Sequence, residues 1–359
     1  MKHYFVENPV SGKNNPIDII KEKVIPAAEE AGIDYEVYVT KERGDAISFV
    51  REKAAEAGDE TVRFYAVGGD GTLYEVVNGA VGFPNAEVSV IPKGSGNDYI
   101  RLYGDRESFL DVPQLINGIP LKVDCLKVED DDSGWTEVAI NQASMGFDAE
   151  ATAKQSAMKK FPGAIGHMTY LLAGLYCMFT KVYHTFRCTV DGKEIPGPFI
   201  FAVGCSSRWY GSGIKVAPFA DPTDGKLDFV IWRRLVSWPI IFKEGLIDWQ
   251  TKGEHVYKPA CEYIRGESME LESKKPVPIN VDGEVRIVKK CRFSVLPKAI
   301  TFVIPADSPY FDQVKSGEIS SKIDQGKWHK EPFHTWYNDH LPFNVIVNKW
   351  IMGYGRKRK

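Results

Sequence analysis

Three glycine-bearing loops carry the residue types that can hold a polyphosphate. The first, Asn8-Pro9-Val10-Ser11-Gly12-Lys13, follows a short apolar run at His3–Glu7. Small residues let backbone N–H groups approach a phosphate there, and Lys13 offers a countercharge. The loop lacks Walker A spacing, and an Asn-Pro turn with a solvated lysine is the plainer alternative. The second loop, Gly68-Gly69-Asp70-Gly71-Thr72, stands between a strand-like run and a helix-like one. Its three glycines clear Cβ atoms from the path of a ligand, and a helix starting at Thr72 aims its first N–H groups at an anion. Asp70 repels bare phosphate but becomes useful if a divalent cation bridges the two. A capped strand-to-helix turn explains one glycine and Asp70 or Thr72, but not three glycines. The third loop, Pro92-Lys93-Gly94-Ser95-Gly96-Asn97-Asp98, takes the equivalent place after the next strand. Two such loops at neighbouring strand ends predict one nucleotide held between them. No G-x-G-x-x-G occurs in this region, so a phosphate donor fits better than a hydride carrier.

Carboxylates mark two further turns. The segment Asp221-Pro222-Thr223-Asp224-Gly225-Lys226-Leu227-Asp228 puts three of them within eight residues. Such an oxygen-rich turn suits a hard cation, and it equally suits an Asx turn ahead of a strand. Asp282-Gly283-Glu284 follows the strand-like Val277–Val281 and reads on its own as a hairpin turn, with Asp191-Gly192-Lys193 as a matched example. His329, His334 and His340 lack H-E-x-x-H spacing, so packing or solvent accounts for them better than zinc does. There is no G-x-S-x-G nucleophile elbow. Cys125, Cys177, Cys188, Cys205, Cys261 and Cys291 form no C-x-x-C pair, which suits a reducing compartment.

The elements that must position these loops are legible as two periodicities. Strand-like runs at His3–Glu7, Tyr35–Val39, Val62–Val67 and Val88–Ile91 alternate with helix-like stretches at Ile17–Ala31, Asp45–Ala57 and Thr72–Val81. That rhythm predicts a mostly parallel sheet covered by helices, with ligands at the strand C-termini. From about Pro120 the pattern becomes strands joined by turns: Leu121–Glu129, Trp135–Ala143, Arg187–Val190, Phe199–Cys205, Leu227–Trp232, Val277–Val281, Arg292–Leu296 and Ile300–Ile304. This predicts an antiparallel sandwich or barrel with a few inserted helices. The expected domains are 1–119, 120–305 and an aromatic-rich extension over 306–359 that packs back on the first domain. That extension ends in the basic tail Arg356-Lys357-Arg358-Lys359, either solvated or in contact with acidic headgroups.

Composition narrows the function classes. The 359 residues are 43% hydrophobic and 26% charged, proportions of an ordinary globular protein. A net charge of −3 supplies no field for gripping a polyanion, so nucleic acid is not expected as a partner. The N-terminus runs into a strand without the apolar core of a signal peptide, which predicts a cytoplasmic protein. Ala164–Phe179 is the most apolar segment and is too short and too polar to span a bilayer, so a buried or interfacial helix is expected there.

Taken together, the motifs resemble the diacylglycerol kinase and lipid kinase family, bacterial soluble type. The resemblance runs through Asn8-Pro9, Ser11-Gly12-Lys13, Gly68-Gly69-Asp70-Gly71-Thr72, Glu75-Val76-Val77-Asn78-Gly79 and Gly94-Ser95-Gly96-Asn97-Asp98. It continues through Gly146-Phe147-Asp148, Ala217-Pro218, Asp221 to Asp228 and Asp282-Gly283-Glu284, covering about residues 2–305. The glycine loop around Asp70 is shared with NAD kinases and phosphofructokinases; the order of all the segments is what makes the match specific. The resemblance implies a three-layer α/β nucleotide-binding domain, a C-terminal antiparallel β-sandwich domain and an active site in the cleft between them. It implies an ATP site at Asn8, Lys13, Thr40, Gly68, Gly69, Asp70, Gly71, Thr72, Gly94, Ser95, Gly96, Asn97 and Asp98, with Asp70 and Asp98 in a magnesium and water network. It also implies a structural magnesium at Asp224 and the carbonyls near Leu227, and Asp282 as the base that takes the proton of the lipid hydroxyl. In a related branch Asp70 holds that role. Tyr74 stands where the family has asparagine, which would alter the floor of the nucleotide site, and Lys93 stands where a small or apolar residue is usual, which would add a phosphate contact.

The function expected on this resemblance is magnesium- and ATP-dependent phosphorylation of a lipid hydroxyl, that of diacylglycerol first. A ceramide, sphingosine or other long-chain alcohol kinase, an NAD-kinase-like enzyme and a non-catalytic lipid- or nucleotide-binding regulator are the alternatives. The expected location is cytoplasmic and peripheral to the membrane, with transient contact through the segments around Tyr170–Leu175 and Trp238–Phe242, the latter flanked by Arg233 and Arg234. Core packing is the competing explanation for both segments. A homodimer is left open.

Overall fold

The computed structural model describes residues 1–11, 18–94, 96–158, 186–233, 253–258 and 261–323. Lys13, Ser95, Tyr170–Leu175, Trp238–Phe242, the three tail histidines and the basic tail lie outside these residues.

The first half alternates strands and helices: β1 (Lys2–Glu7), α1 (Ile25–Ala31), β2 (Asp34–Val39), α2 (Asp45–Glu56), β3 (Val62–Gly68), α3 (Asp70–Ala80) and β4 (Ala86–Pro92). The four strands pair in parallel in the order β4-β3-β1-β2. Every residue of β3 is buried, as expected of a parallel strand covered on both faces. The helix expected over Ile17–Ala31 runs through its described part as a π-helical segment, Ile20–Val24, that continues directly into α1, with right-handed helical dihedrals at Val24 and Ile25. Pro26, near the start of α1, has no N–H to continue the preceding turn. Helix α3 starts at Asp70 rather than Thr72, so Asp70 itself lies in the first turn.

Two short helices follow, α4 (Arg106–Leu110) and α5 (Val112–Ile116), capped by Asp105 and Asp111. The second half then contains β5 (Ile119–Asp130), β6 (Trp135–Ala139), β7 (Gln142–Gly146), α6 (Phe147–Met158), β8 (Phe186–Val190), β9 (Lys193–Ile195) and β10 (Phe199–Cys205). It closes with β11 (Leu227–Arg233), β12 (Cys261–Gly266), β13 (Ser268–Val281), β14 (Glu284–Ile304) and α7 (Tyr310–Ser316). Its strands run antiparallel in the order β12-β11-β10-β7-β13-β14, with β5 on the other side of β14.

The expected strand Trp135–Ala143 is broken between β6 and β7 at Ile140 and Asn141, where the backbone turns its amides to Asp282. The strand-like runs Arg292–Leu296 and Ile300–Ile304 belong to one strand, β14. That strand crosses from the sandwich into the first half, where Thr301 and Phe302 pair in parallel with Glu87 and Val88 of β4. Phe302 is fully buried against Tyr99, Tyr103 and Phe109. Tyr310 of α7 packs on Tyr103 in the same core. The two halves are thereby joined through hydrogen-bonded backbone, and the cleft between them has firm walls. Among the described residues no helix is long and apolar enough to cross a membrane, and five cysteines are buried and unbridged.

Candidate active site in the cleft between the halves

The ends of β1, β3 and β4 bring the glycine loops into contact. Asn8 donates from Nδ2 to Thr72 Oγ1 at 3.3 Å, and its backbone N–H reaches the Val67 carbonyl at 3.1 Å. Lys93 and Gly94 both donate backbone N–H to the Gly68 carbonyl, at 2.7 and 3.1 Å. A Cβ on Gly94 would lie 2.6 Å from the Gly69 Cα, so the close approach of the second and third loops requires a hydrogen at that position. Asn97 adopts a left-handed φ of 51° and holds its own loop through Nδ2 to the Gly94 carbonyl at 2.8 Å. Its buried Oδ1 has no partner and is an acceptor available beside the loops. Thr40 is nearly buried at the end of β2, with its N–H on the Glu7 carbonyl at 2.9 Å.

The carboxylates come next. Asp70 accepts backbone N–H bonds from Asn97 at 2.8 Å and Asp98 at 2.9 Å. Burial, and then the charge of Asp98, push its carboxyl up to about 6. Asp98 accepts the Ser212 N–H at 2.7 Å and pairs with Arg101 Nε at 3.1 Å. From the opposite wall, Asp282 accepts N–H bonds from Ile140 at 2.7 Å, Gln142 at 2.8 Å and Asn141 at 3.2 Å. These amides favour its charged form. Burial outweighs them, and with the charge of Asp70 it holds the Asp282 carboxyl up at about 7. Asp70, Asp98 and Asp282 line one cavity of about 230 Å³, with Gly96, Tyr210 and Asn280 among the remaining walls.

Asp191 is a useful contrast to Asp282. Both are Asp-Gly turns with left-handed aspartates, φ 46° and 48°, and both carboxylates accept neighbouring amides. Asp191 is exposed on the surface, whereas Asp282 faces Asp70 across the cavity. Local turn chemistry is therefore the same at the two sites, and only the location separates them.

Two expectations are corrected. The ammonium of Lys93 pairs with Glu7 at 2.7 Å, both side chains being largely buried, so it is engaged rather than offered to a phosphate. Tyr74 does not form the floor of the glycine loops; it is buried in the core of the sandwich half, beside Glu137. It sits one turn along α3 from Asp70, on the side that packs against the second half.

The Asp221–Asp228 turn lies apart from the cavity lining. Asp224 accepts the Lys226 N–H at 3.0 Å and faces Arg265 at 3.5 Å, and Leu227 opens β11. Buried Asp124 joins this turn from β5, accepting N–H bonds from Gly225 at 2.6 Å and Lys298 at 2.7 Å. Burial, with neighbouring carboxylates, raises both Asp124 and Asp224. Among the described residues no three His, Cys, Asp or Glu side chains converge to hold a metal by themselves. Sequence reasoning missed Asp124, Ser212, Asn280 and the amides of Ile140–Gln142. None carries a local motif, although Asn280 stands two residues before Asp282 and its Oδ1 accepts the Gly283 N–H at 2.8 Å.

Comparison with known proteins gives two adjoining family matches. Residues 2–128 match the diacylglycerol kinase catalytic domain, and residues 141–304 match the YegS C-terminal NAD kinase beta sandwich-like domain. A Chromohalobacter salexigens protein named "Probable lipid kinase YegS-like" is 30% identical over 306 residues, covering 83% of this chain and 93% of the relative. A Staphylococcus carnosus protein named diacylglycerol kinase is 29% identical over 306 residues, covering 84% and 94%. Among solved structures, one titled as a diacylglycerol kinase from Bacillus anthracis superposes with a TM-score of 0.59 at 18% identity. It covers 84% of this chain and 96% of that one, a likeness of fold. With both halves matched in order around the cleft that holds Asp70, Asp98 and Asp282, the chain belongs to the diacylglycerol kinase and YegS-like family of lipid kinases, a family of ATP-dependent phosphotransferases.

Proposed function

We propose that this kinase transfers the γ-phosphate of ATP to the free hydroxyl of diacylglycerol, giving phosphatidic acid and ADP. The observation that carries the reading is the meeting of glycine loops and three carboxylates, Asp70, Asp98 and Asp282, in one cavity between the halves. The loops at Asn8, Gly68–Thr72 and Gly94–Asn97 would seat the phosphates, with Thr40 at the edge of the site and Lys13 and Ser95 from the segments outside the described residues. Asp282 would accept the hydroxyl proton as the acceptor oxygen bonds to phosphorus and the bond to the β,γ-bridging oxygen breaks. An acidity near neutrality suits a base at physiological pH.

The residues present fit magnesium beside the nucleotide. Asp98 is buried and Asp70 half-buried beside it, and Asp70 is pushed up partly by the charge of Asp98, which a cation would relieve. Asp70 would hold the ion, which would neutralise charge on the transferring phosphate. A second magnesium at Asp224 and the Leu227 carbonyl fits the raised carboxyls of Asp124 and Asp224, with Arg265 offsetting part of the Asp224 charge. We further propose that the chain divides near Asn117–Pro120 and that the enzyme meets its lipid at a membrane surface.

The test is ATP consumption by the purified protein with magnesium, offering dioleoylglycerol, ceramide and sphingosine in mixed micelles and NAD in solution. Turnover with dioleoylglycerol is expected. Turnover with ceramide or sphingosine alone would replace the acceptor, and turnover with NAD alone would overturn the lipid reading.

A further inference from the structure

A row of side chains unused by the chemistry above runs along the rim of the cleft. Arg43, in the loop between β2 and α2, contacts the carboxylate of Glu284, the first residue of β14. Arg286 stands 3.8 Å from that carboxylate and bonds Glu137 of β6 through Nε at 3.1 Å. The ring of Trp135 lies 5.5 Å from the Arg286 guanidinium carbon, on the same strand as Glu137. Glu137 in turn lies beside the Tyr74 phenol of α3. The Arg43 loop is also tied to α3 from its other side, where the Gly44 N–H donates to Glu75 Oε1 at 2.9 Å.

The positions of these residues in the chain give the row its meaning. Asp70 opens α3, Asp282 lies two residues before Glu284, and Thr40 lies three residues before Arg43. Each end of the row is thus attached to a segment that carries a site residue. Tyr74, the inner end, is a residue in which this chain departs from the asparagine its motif would lead one to expect.

We propose that Arg43 is a positioning residue: by bridging the loop after Thr40 to Glu284, it sets how closely the hairpin carrying Asp282 approaches the helix carrying Asp70. This rests on the lipid-kinase reading of the cleft. The Arg43 side chain is 67% exposed, and ion pairs this open contribute little to stability and weaken in salt. The fold does not depend on such a contact. Reaction rates respond far more steeply, since a displacement of about 1 Å at the reacting groups costs up to about 10²-fold. Rate and stability should therefore separate.

The experiment compares the unmodified protein with Arg43→Gln and Arg43→Lys, using the lipid on which the unmodified protein turns over, at saturating ATP. Each is measured between about 0.1 M and about 1 M salt, where the screening length falls from about 10 Å to about 3 Å. Thermal melting is followed in parallel. The expected result is a fall in kcat of about two- to fivefold for Arg43→Gln with unchanged melting, and recovery of most of that loss in Arg43→Lys. The kcat of the unmodified protein should also fall with salt more steeply than that of Arg43→Gln. Equal kcat in Arg43→Gln, a kcat loss matched by lowered melting, or the same salt dependence in both proteins would each overturn the assignment. Absence of turnover in the unmodified protein on every lipid would overturn the lipid-kinase reading, and this inference with it.

Discussion

Gly71 and Gly94 allow the nucleotide loops to be tested by adding a single methyl group at each. Gly71 lies in the first turn of α3, and a Cβ built there meets no atom within 4 Å. Its φ is not in the left-handed region, so alanine adopts the backbone without strain. Replacing glycine by alanine in a helix is worth up to about 1 kcal/mol of stability. Gly71→Ala should therefore melt at the same temperature as the unmodified protein or slightly above it. If a phosphate of ATP is seated against this turn, however, the methyl group occupies its space, and ATP affinity should fall on the order of tenfold, about 1.4 kcal/mol. Gly94→Ala makes the complementary prediction. Its Cβ would sit 2.6 Å from the Gly69 Cα, against the roughly 3.5–4.0 Å of a relaxed carbon contact. The two loops must then part by about 1 Å, at a cost of about 1–3 kcal/mol in stability and up to about 10²-fold in rate. Calorimetric titration with ATP, steady-state kinetics and thermal melting on both variants separate these effects. A Gly71→Ala protein with unchanged ATP affinity and turnover would mean that no ligand approaches the start of α3. An unperturbed Gly94→Ala protein would refute the joint action of the two loops.

Two further outcomes follow from buried titrating groups. With Asp282 acting as base, kcat/KM should rise as pH climbs through about 7 and then level. Asp282→Asn should lower turnover by about 10²–10⁴-fold while sparing ATP affinity, and equal turnover in the variant would end the role given to Asp282. His3 is buried against the Tyr65 hydroxyl at 2.9 Å, and burial, then the charge of Arg63, pushes its imidazole down to about 4. The unfolded chain binds this proton near 6.5, so the native state is favoured at neutral pH and loses roughly 3 kcal/mol as pH falls from about 6.5 to about 4. Melting at about pH 7.5 and about pH 5 should show a larger acid loss in the unmodified protein than in His3→Gln; identical losses would contradict the assignment.

Much of this protein is legible in the chain because the deciding interactions are local. The apolar run of β3 and the helical spacing of α2 and α3 state their own periods, and Gly68–Thr72 and Gly94–Asp98 announce loops at strand ends because closely approaching backbone leaves no room for a Cβ. The departures from the expected elements have causes outside the hydrophobic period, one local and one distant. Pro26, with no N–H to give, leaves a π-helical segment within a helix that the apolar spacing carries through, and the bend at Ile140–Asn141 is held by a carboxylate some 140 residues away. No window of sequence contains that partner.

Long-range placement decided the rest. Asp191 and Asp282 occupy the same kind of turn with nearly the same φ, and only the return of β13 and β14 to the cleft sets one of them opposite Asp70. The resemblance places Lys93 and Tyr74 by their positions in a motif, but their surroundings are Glu7 and the sandwich core. By itself the sequence determined the element types, the order of the halves and which loops could hold phosphate, because those depend on period and backbone freedom. Only the tertiary structure decided which carboxylates face one another and how strongly they are perturbed, because charge and burial act through space between residues the chain keeps far apart.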